Sequence, residues 1–293
     1  MPALELVAPY RDLYPFTPHV HPTTAGEMHY LDEGPREAPV VLCVHGNPSW
    51  SLLYRQVVLD LRARYRCIAP DHLGCGLSDQ PVEAEFGYRL ADHVANLESL
   101  ILDLDLQRIT LVVHDWGGPI GTLALLRHPE RFERLVVTNT SLFPSTKIPR
   151  RIAMCRGPLG RLVVEEFNAF ARAAARMAVT KPLDARVRTA MTSPYAKPRS
   201  ARATWRFVDD IPIQEDHPSR ELMAELAAAL PRLEALPTLL LWGERDWCFT
   251  TDFRDELVRR MPWARSVGLR DAGHYLFEDD PDGVSAALAE FLP

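Results

Sequence analysis

The chain has 293 residues, 47% apolar and 25% charged, which is ordinary globular usage. Its net charge of −6 argues against nucleic acid or an anionic membrane as a partner, and no window reaches the roughly 18 apolar residues of a transmembrane helix. Cys43, Cys67, Cys75, Cys155 and Cys248 are widely spaced with no C-x-x-C pair, so free thiols in a reducing cytoplasm are expected rather than disulfides or a metal site. Met1 to Pro15 contains Glu5 and Asp12 and lacks the basic-then-apolar pattern of a secretion signal, which also points to the cytoplasm.

In chain order, Met28 to Leu31 and Val40 to Val44 read as strands, and Ser51 to Arg62 has helical character. Cys67 to Pro70 is a strand followed by Asp71, and Leu90 to Asp103 a helix with apolar positions at Val94, Leu97, Ile101 and Leu102. Ile109 to Val113 is a strand, Ile120 to Arg127 a helix, and Leu135 to Val137 a strand. Near the carboxyl end, Thr238 to Leu241 and Ser266 to Leu269 read as strands, with helices at Phe253 to Met261 and Val284 to Phe291. This alternation predicts an α/β fold with a mostly parallel sheet flanked by helices. From about Pro144 to Pro231 the strand signals stop, and Ala- and Arg-rich stretches are broken by repeated prolines. We expect an α/β core at 1–143 and 233–293, with 144–232 as a helical cap over the carboxyl ends of the strands.

The chemistry is concentrated in Val112-Val113-His114-Asp115-Trp116-Gly117-Gly118. A strand running into a polar residue, two glycines and a helix is the context of a nucleophile elbow, with Asp115 where hydrolases commonly carry serine. A carboxylate acts best as an oxygen nucleophile on an sp3 carbon, displacing a leaving group and forming an alkyl ester on the protein. His274, in the loop after the last strand, occupies the position of a base that activates water to open that ester. Asp246, in Trp242-Gly243-Glu244-Arg245-Asp246, is the natural acid to hold His274 in one tautomer; Glu244 is its nearest competitor. Thr138-Asn139-Thr140, after the preceding strand, offers no carboxylate. A leaving anion needs preorganised donors, and Asn47 and Trp116 offer an amide and an indole N–H beside the elbow. Nucleophile, base and anion hole are then all side chains, so no cofactor or metal is expected.

His45-Gly46-Asn47-Pro48, Pro70 to Asp79, His114 to Gly118, Trp242 to Asp246 and Gly273-His274 together resemble the haloalkane dehalogenases of the α/β-hydrolase superfamily, from about residue 26 to the end. The resemblance implies an α/β-hydrolase fold, Asp115 as nucleophile, His274 as base, and Asn47 and Trp116 holding a halide product. The acid after Leu241 is similar to the third dehalogenase subgroup, which also contains the β-lactone decarboxylases of long-chain olefin biosynthesis. Glu166 to Phe170 and Arg206 to Pro212 resemble the decarboxylases more. Hydrolytic dehalogenation of a small apolar substrate is the leading expectation, with β-lactone decarboxylation giving a cis-alkene and carbon dioxide as the alternative. An epoxide hydrolase of this fold usually carries two cap tyrosines, whereas Tyr195 is the only tyrosine between Pro144 and Pro231. A non-catalytic module of this fold would be expected to lack one of Asp115, Asp246 and His274.

Overall fold

The computed structural model describes residues 2–293, with side-chain environments from Glu5 onward; Met1, the first residue of the expected core segment, lies outside them. The strands are β1 (Pro18–Thr23), β2 (Gly26–Glu33), β3 (Val40–Val44), β4 (Arg66–Pro70), β5 (Ile109–His114), β6 (Phe132–Thr138), β7 (Thr238–Gly243) and β8 (Arg265–Leu269). They form one eight-stranded sheet in the order β1-β2-β4-β3-β5-β6-β7-β8. The first two pairings, β1 with β2 and β2 with β4, are antiparallel; the others are parallel.

The central parallel strands β3, β5 and β7 are buried and largely apolar along their whole length because both sheet faces are covered there. Along β3, Leu42 and Val44 enter one core cluster while Val41 and Cys43 enter the other. The helices α1 (Pro2–Val7), α2 (Arg55–Leu61), α3 (Leu90–Asp103) and α4 (Gly117–Arg127) precede β6. Between β6 and β7 come α5 (Arg150–Ala153), α6 (Gly157–Phe167), α7 (Ala169–Met177), α8 (Ala185–Thr192), α9 (Arg202–Asp209) and α10 (Pro218–Ala229). After β7 follow α11 (Thr251–Arg260), α12 (Leu276–Asp279) and α13 (Pro281–Phe291). Val94 and Leu97 of α3, Ile120 and Leu123 of α4, and Phe253 and Leu257 of α11 pack on one face. Val57 and Val58 of α2 and Val284 and Leu288 of α13 pack on the other.

Sequence pattern misses β1, which begins with Pro18 and contains Pro22. Proline cannot donate to a ladder and is tolerated here because β1 is an edge strand. The prolines between β6 and β7 punctuate helices as expected: Pro158 and Pro218 sit in the first turns of α6 and α10, where no N–H donor is lost.

Strand order reverses between β3 and β5: β4 lies on one side of β3 and β5 on the other. Ligands of open α/β sheets bind in the crevice at such a switch point. The loops leaving β3 and β4 are tied together there by Asp71, which is fully buried. Its carboxylate accepts from Ser51 N–H at 2.6 Å, Leu77 N–H at 2.8 Å and His29 Nδ1 at 2.9 Å. Removing it strands three buried donors. Asp71→Ala is therefore expected to cost about 3 kcal/mol or more of unfolding free energy. Urea denaturation checks this, and an unchanged midpoint would mean that the loops are held otherwise.

Candidate active site

β5 delivers the chain to Asp115, whose φ of +51° turns it sharply into α4. A non-glycine residue in the left-handed region is strained and persists only where surrounding contacts hold it. Here the Asp115 carbonyl accepts from Gly118 N–H at 2.9 Å and from the Thr140 hydroxyl, while Asp115 N–H donates to Asn139 O at 3.2 Å. The neighbouring backbones approach closely. A Cβ on Gly117 would stand 1.9 Å from Val44 O, and one on Gly46 would stand 2.2 Å from Asp115 Oδ1. Both positions exclude every other residue without backbone movement.

The buried Asp115 carboxylate accepts from Asn47 N–H at 2.6 Å, and Trp116 N–H also acts on it. These two backbone donors are the feature that side-chain motifs could not show. His274 Nε2 stands 3.8 Å from Asp115 Oδ2, and His274 Nδ1 pairs with Asp246 Oδ2 at 2.8 Å. Asp246 is held in turn by Asn139 Nδ2 at 2.9 Å and Cys248 N–H at 2.6 Å. Asn139, which closes the alternative acid position in the sequence, therefore supports the acid that replaces it. His114 Nε2 pairs with the His274 carbonyl at 2.8 Å and fixes the loop bearing the imidazole.

Burial pushes the Asp115 carboxyl up, opposed by His274 and by the Asn47 and Trp116 backbone N–H groups. Burial alone would lower His274, but the Asp246 charge and hydrogen bond, with Asp115 adding, hold it above its ordinary value.

The structure brings Asp115, His274, Asp246, Asn47 and Trp116 together. Glu244, the competing acid, pairs with Arg254 at 2.7 Å instead. Asn47 differs in detail from the simple expectation of a free amide. Its Nδ2 donates to Thr204 O at 3.0 Å, which commits one of its two N–H groups, and its Oδ1 is buried without a partner. The Trp116 indole N–H has no acceptor among the described residues, and the ring packs 5.5 Å from Phe207. Phe207 and Trp205 are packed into core clusters and do not line the cavity. Tyr195 is buried with its hydroxyl 3.4 Å from Ser49 O, also away from the cavity.

A cavity of about 720 Å³ opens from Asp115, Asn47, Trp116 and His274. Its walls are overwhelmingly apolar and come from the segments after β6, from α6 and α7, and from Trp247 to Phe249. Among the described residues no group of three or more His, Cys, Asp or Glu side chains could hold a metal ion. The site brings together a carboxylate on its backbone donors, an imidazole between two carboxylates, and two uncharged N–H groups in an apolar chamber.

The Asp246 assignment can be tested without reference to any reaction. Asp246→Asn removes the anion that holds His274 up, so the His274 pKa is expected to fall. Glu244→Gln should leave it unmoved. Titration of the imidazole by NMR decides, and the opposite ranking would move the acid to Glu244.

Comparison with known proteins accords with this architecture. The alpha/beta hydrolase fold model matches residues 39–281. Two cis-3-alkyl-4-alkyloxetan-2-one decarboxylases are each 40% identical to the chain. That of Shewanella oneidensis aligns over 96% of this chain and 89% of its own length. That of Xanthomonas campestris pv. campestris aligns over 95% and 97%. Haloalkane dehalogenase 2 of Mycobacterium tuberculosis is 32% identical over 96% of this chain and 97% of its own. The crystal structure of a haloalkane dehalogenase from Bradyrhizobium elkani superposes with a TM-score of 0.86 at 25% identity, covering 94% of this chain and 97% of that one. The chain belongs to the α/β-hydrolase family, in the branch that holds oxetanone decarboxylases and haloalkane dehalogenases.

Proposed function

We propose that the protein decarboxylates cis-dialkyl β-lactones to cis-alkenes, with residues 144–232 serving as a cap over the substrate. The observation that carries this reading is the 40% identity to two such decarboxylases along nearly the whole chain, against 32% for the dehalogenase. Sequence motifs alone rank dehalogenation first, because Asn47 and Trp116 suit a halide; we place decarboxylation ahead of it on the higher identity to the decarboxylases. The apolar cavity agrees with a lactone carrying two alkyl arms, and its volume lies in the upper part of the range of about 300–1,000 Å³ for small-molecule sites.

The proposed reaction follows from the site. The Asp115 carboxylate attacks ring carbon C4 from the side opposite the ring oxygen. The C4–O1 bond breaks with its electron pair going to oxygen, giving an alkyl ester on Asp115 and a free carboxylate on C3. Asn47 Nδ2–H and the Trp116 indole N–H receive that developing carboxylate, the place a halide would otherwise take. The bond from C3 to the carboxylate carbon then breaks, its pair forms the C3=C4 double bond, and the Asp115 oxygen leaves. Carbon dioxide, alkene and free Asp115 result, with no water consumed. Inversion at C4 followed by anti departure keeps the alkyl groups cis. His274, protonated between Asp246 and Asp115, balances the negative charge throughout.

Hydrolytic dehalogenation is the second reading, favoured by the unpartnered Trp116 N–H beside the carboxylate. It uses the same alkyl ester but needs neutral His274 to activate water. Both routes need Asp115, and Asp115→Ala is expected to abolish turnover in a folded protein; retained activity would place the site elsewhere.

His274→Phe separates the routes. Offered a bromoalkane, a dehalogenase with this change should accumulate the alkyl ester on Asp115, visible by intact-protein mass spectrometry. Offered a long-chain cis-β-lactone, a decarboxylase should turn over more slowly yet release carbon dioxide and alkene without a trapped adduct. The proposal fails if every haloalkane gives a higher kcat/KM than the lactone in the unmodified enzyme.

The pH profiles should also diverge, because His274 is held above its ordinary value. Decarboxylation uses the protonated imidazole, so it should be present below the His274 pKa and fall as pH rises through it. Halide turnover uses the neutral form and should rise with pH through the same value. Initial rates measured across this window with each substrate check the sign.

A further inference from the structure

The mouth of the cavity has an unusual surface. Met154 is 79% exposed, Leu159 73%, Phe167 64% and Leu162 52%. Leu159, Leu162, Val163 and Phe167 follow helical spacing along α6, so they form one stripe. Met154, Leu159 and Val163 also line the cavity, which makes the stripe continuous with its opening. Leu162 and Phe167 lie beyond the lining, so an open cavity alone does not account for their exposure.

The stripe is set in a basic field. Residues 145–177 carry seven Lys and Arg against Glu165 and Glu166, in a chain whose net charge is −6. Both carboxylates are already paired, Glu165 with Arg161 and Glu166 with Arg199. Lys147, on the side toward α11, pairs with Asp252. Arg150, Arg151, Arg172 and Arg176 are exposed and have no carboxylate partner among the described residues. Net charge alone points away from anionic surfaces, but the charge is segregated, and a docking face responds to its local field within about 10 Å.

We propose that this face, α5 to α7 around the cavity mouth, docks on an anionic lipid bilayer, with the α6 stripe entering the headgroup boundary and the arginines meeting lipid phosphates. An exposed apolar stripe flanked by unpaired arginines is the chemistry of an interfacial helix. Its continuity with the cavity gives an apolar substrate a route from the bilayer to Asp115 that avoids water. The proposal rests on the apolar cavity and not on which leaving group departs from the substrate.

The test is cosedimentation with phosphatidylcholine vesicles, with and without phosphatidylglycerol. The wild-type protein is expected to bind the anionic vesicles, and to bind less as salt is raised. Leu162→Ser with Phe167→Ser, and separately Arg150→Glu with Arg172→Glu, should each weaken binding about tenfold or more. None of these four residues lines the cavity, so turnover of a short, water-soluble substrate should be retained; this also shows that the variants fold and keeps the test separate from the identity of the reaction. Absence of binding by the wild type, or binding by both variants as tight as that of the wild type, overturns the proposal. So does a wild type that self-associates without binding vesicles and becomes monomeric in the Leu162→Ser, Phe167→Ser variant, since the face would then be an interface between copies.

Discussion

A carboxylate buried at the switch point of a parallel sheet is the constraint around which this structure is organised. Charge taken out of water is costly unless it is paired and hydrogen-bonded. Asp115 meets that requirement with Asn47 N–H at 2.6 Å, the Trp116 N–H, and the His274 imidazole at 3.8 Å. Those donors reach it only because β3 and β5 are neighbours and their carboxyl ends leave the sheet side by side. The absence of side chains at Gly46 and Gly117, and the left-handed turn at Asp115 itself, follow from the same crowding.

A second layer holds the first. Asp246 has three partners, from Asn139 just after β6, from its own loop and from His274, so its orientation does not depend on any one contact. Asp71 does for the loops after β3 and β4 what Asp246 does for His274. In both cases a buried carboxylate joins backbone N–H from a neighbouring loop to an imidazole from elsewhere. Such networks stabilise when fully satisfied and are costly when broken. This explains how irregular loops around the site can be buried without being loose.

The segment between β6 and β7 answers to a different demand. It supplies apolar walls rather than polar precision, and its α6 leaves large apolar side chains in solvent. Exposed apolar area at a cavity mouth carries a cost in solubility, and the surrounding arginines offset it. The same residues that make this surface awkward in water suit it to receiving an apolar molecule.

The amino-acid sequence by itself determined the α/β fold and the positions of Asp115, Asp246 and His274 along it. Strand and helix periodicities are local, and the elbow, the acid loop and the histidine loop each carry their signal within a few residues. Leu90 to Asp103 is read to the residue for this reason. Edge strand β1 was not legible, since two prolines and two histidines carry no strand pattern and the ladder with β2 alone defines it. The Asn47 N–H donor to Asp115, the support of Asp246 by Asn139, and the commitment of the Asn47 amide to Thr204 were decided by tertiary structure. Each joins residues far apart in the chain, and Thr204 lies 157 positions from Asn47. Trp205 and Phe207 could equally have been pocket or core from their spacing, and only the packing of α9 turned both inward. The periodicity of α6 fixed its apolar stripe, but no local pattern says whether such a stripe faces a core, a cavity or solvent. That depends on what the rest of the fold leaves uncovered.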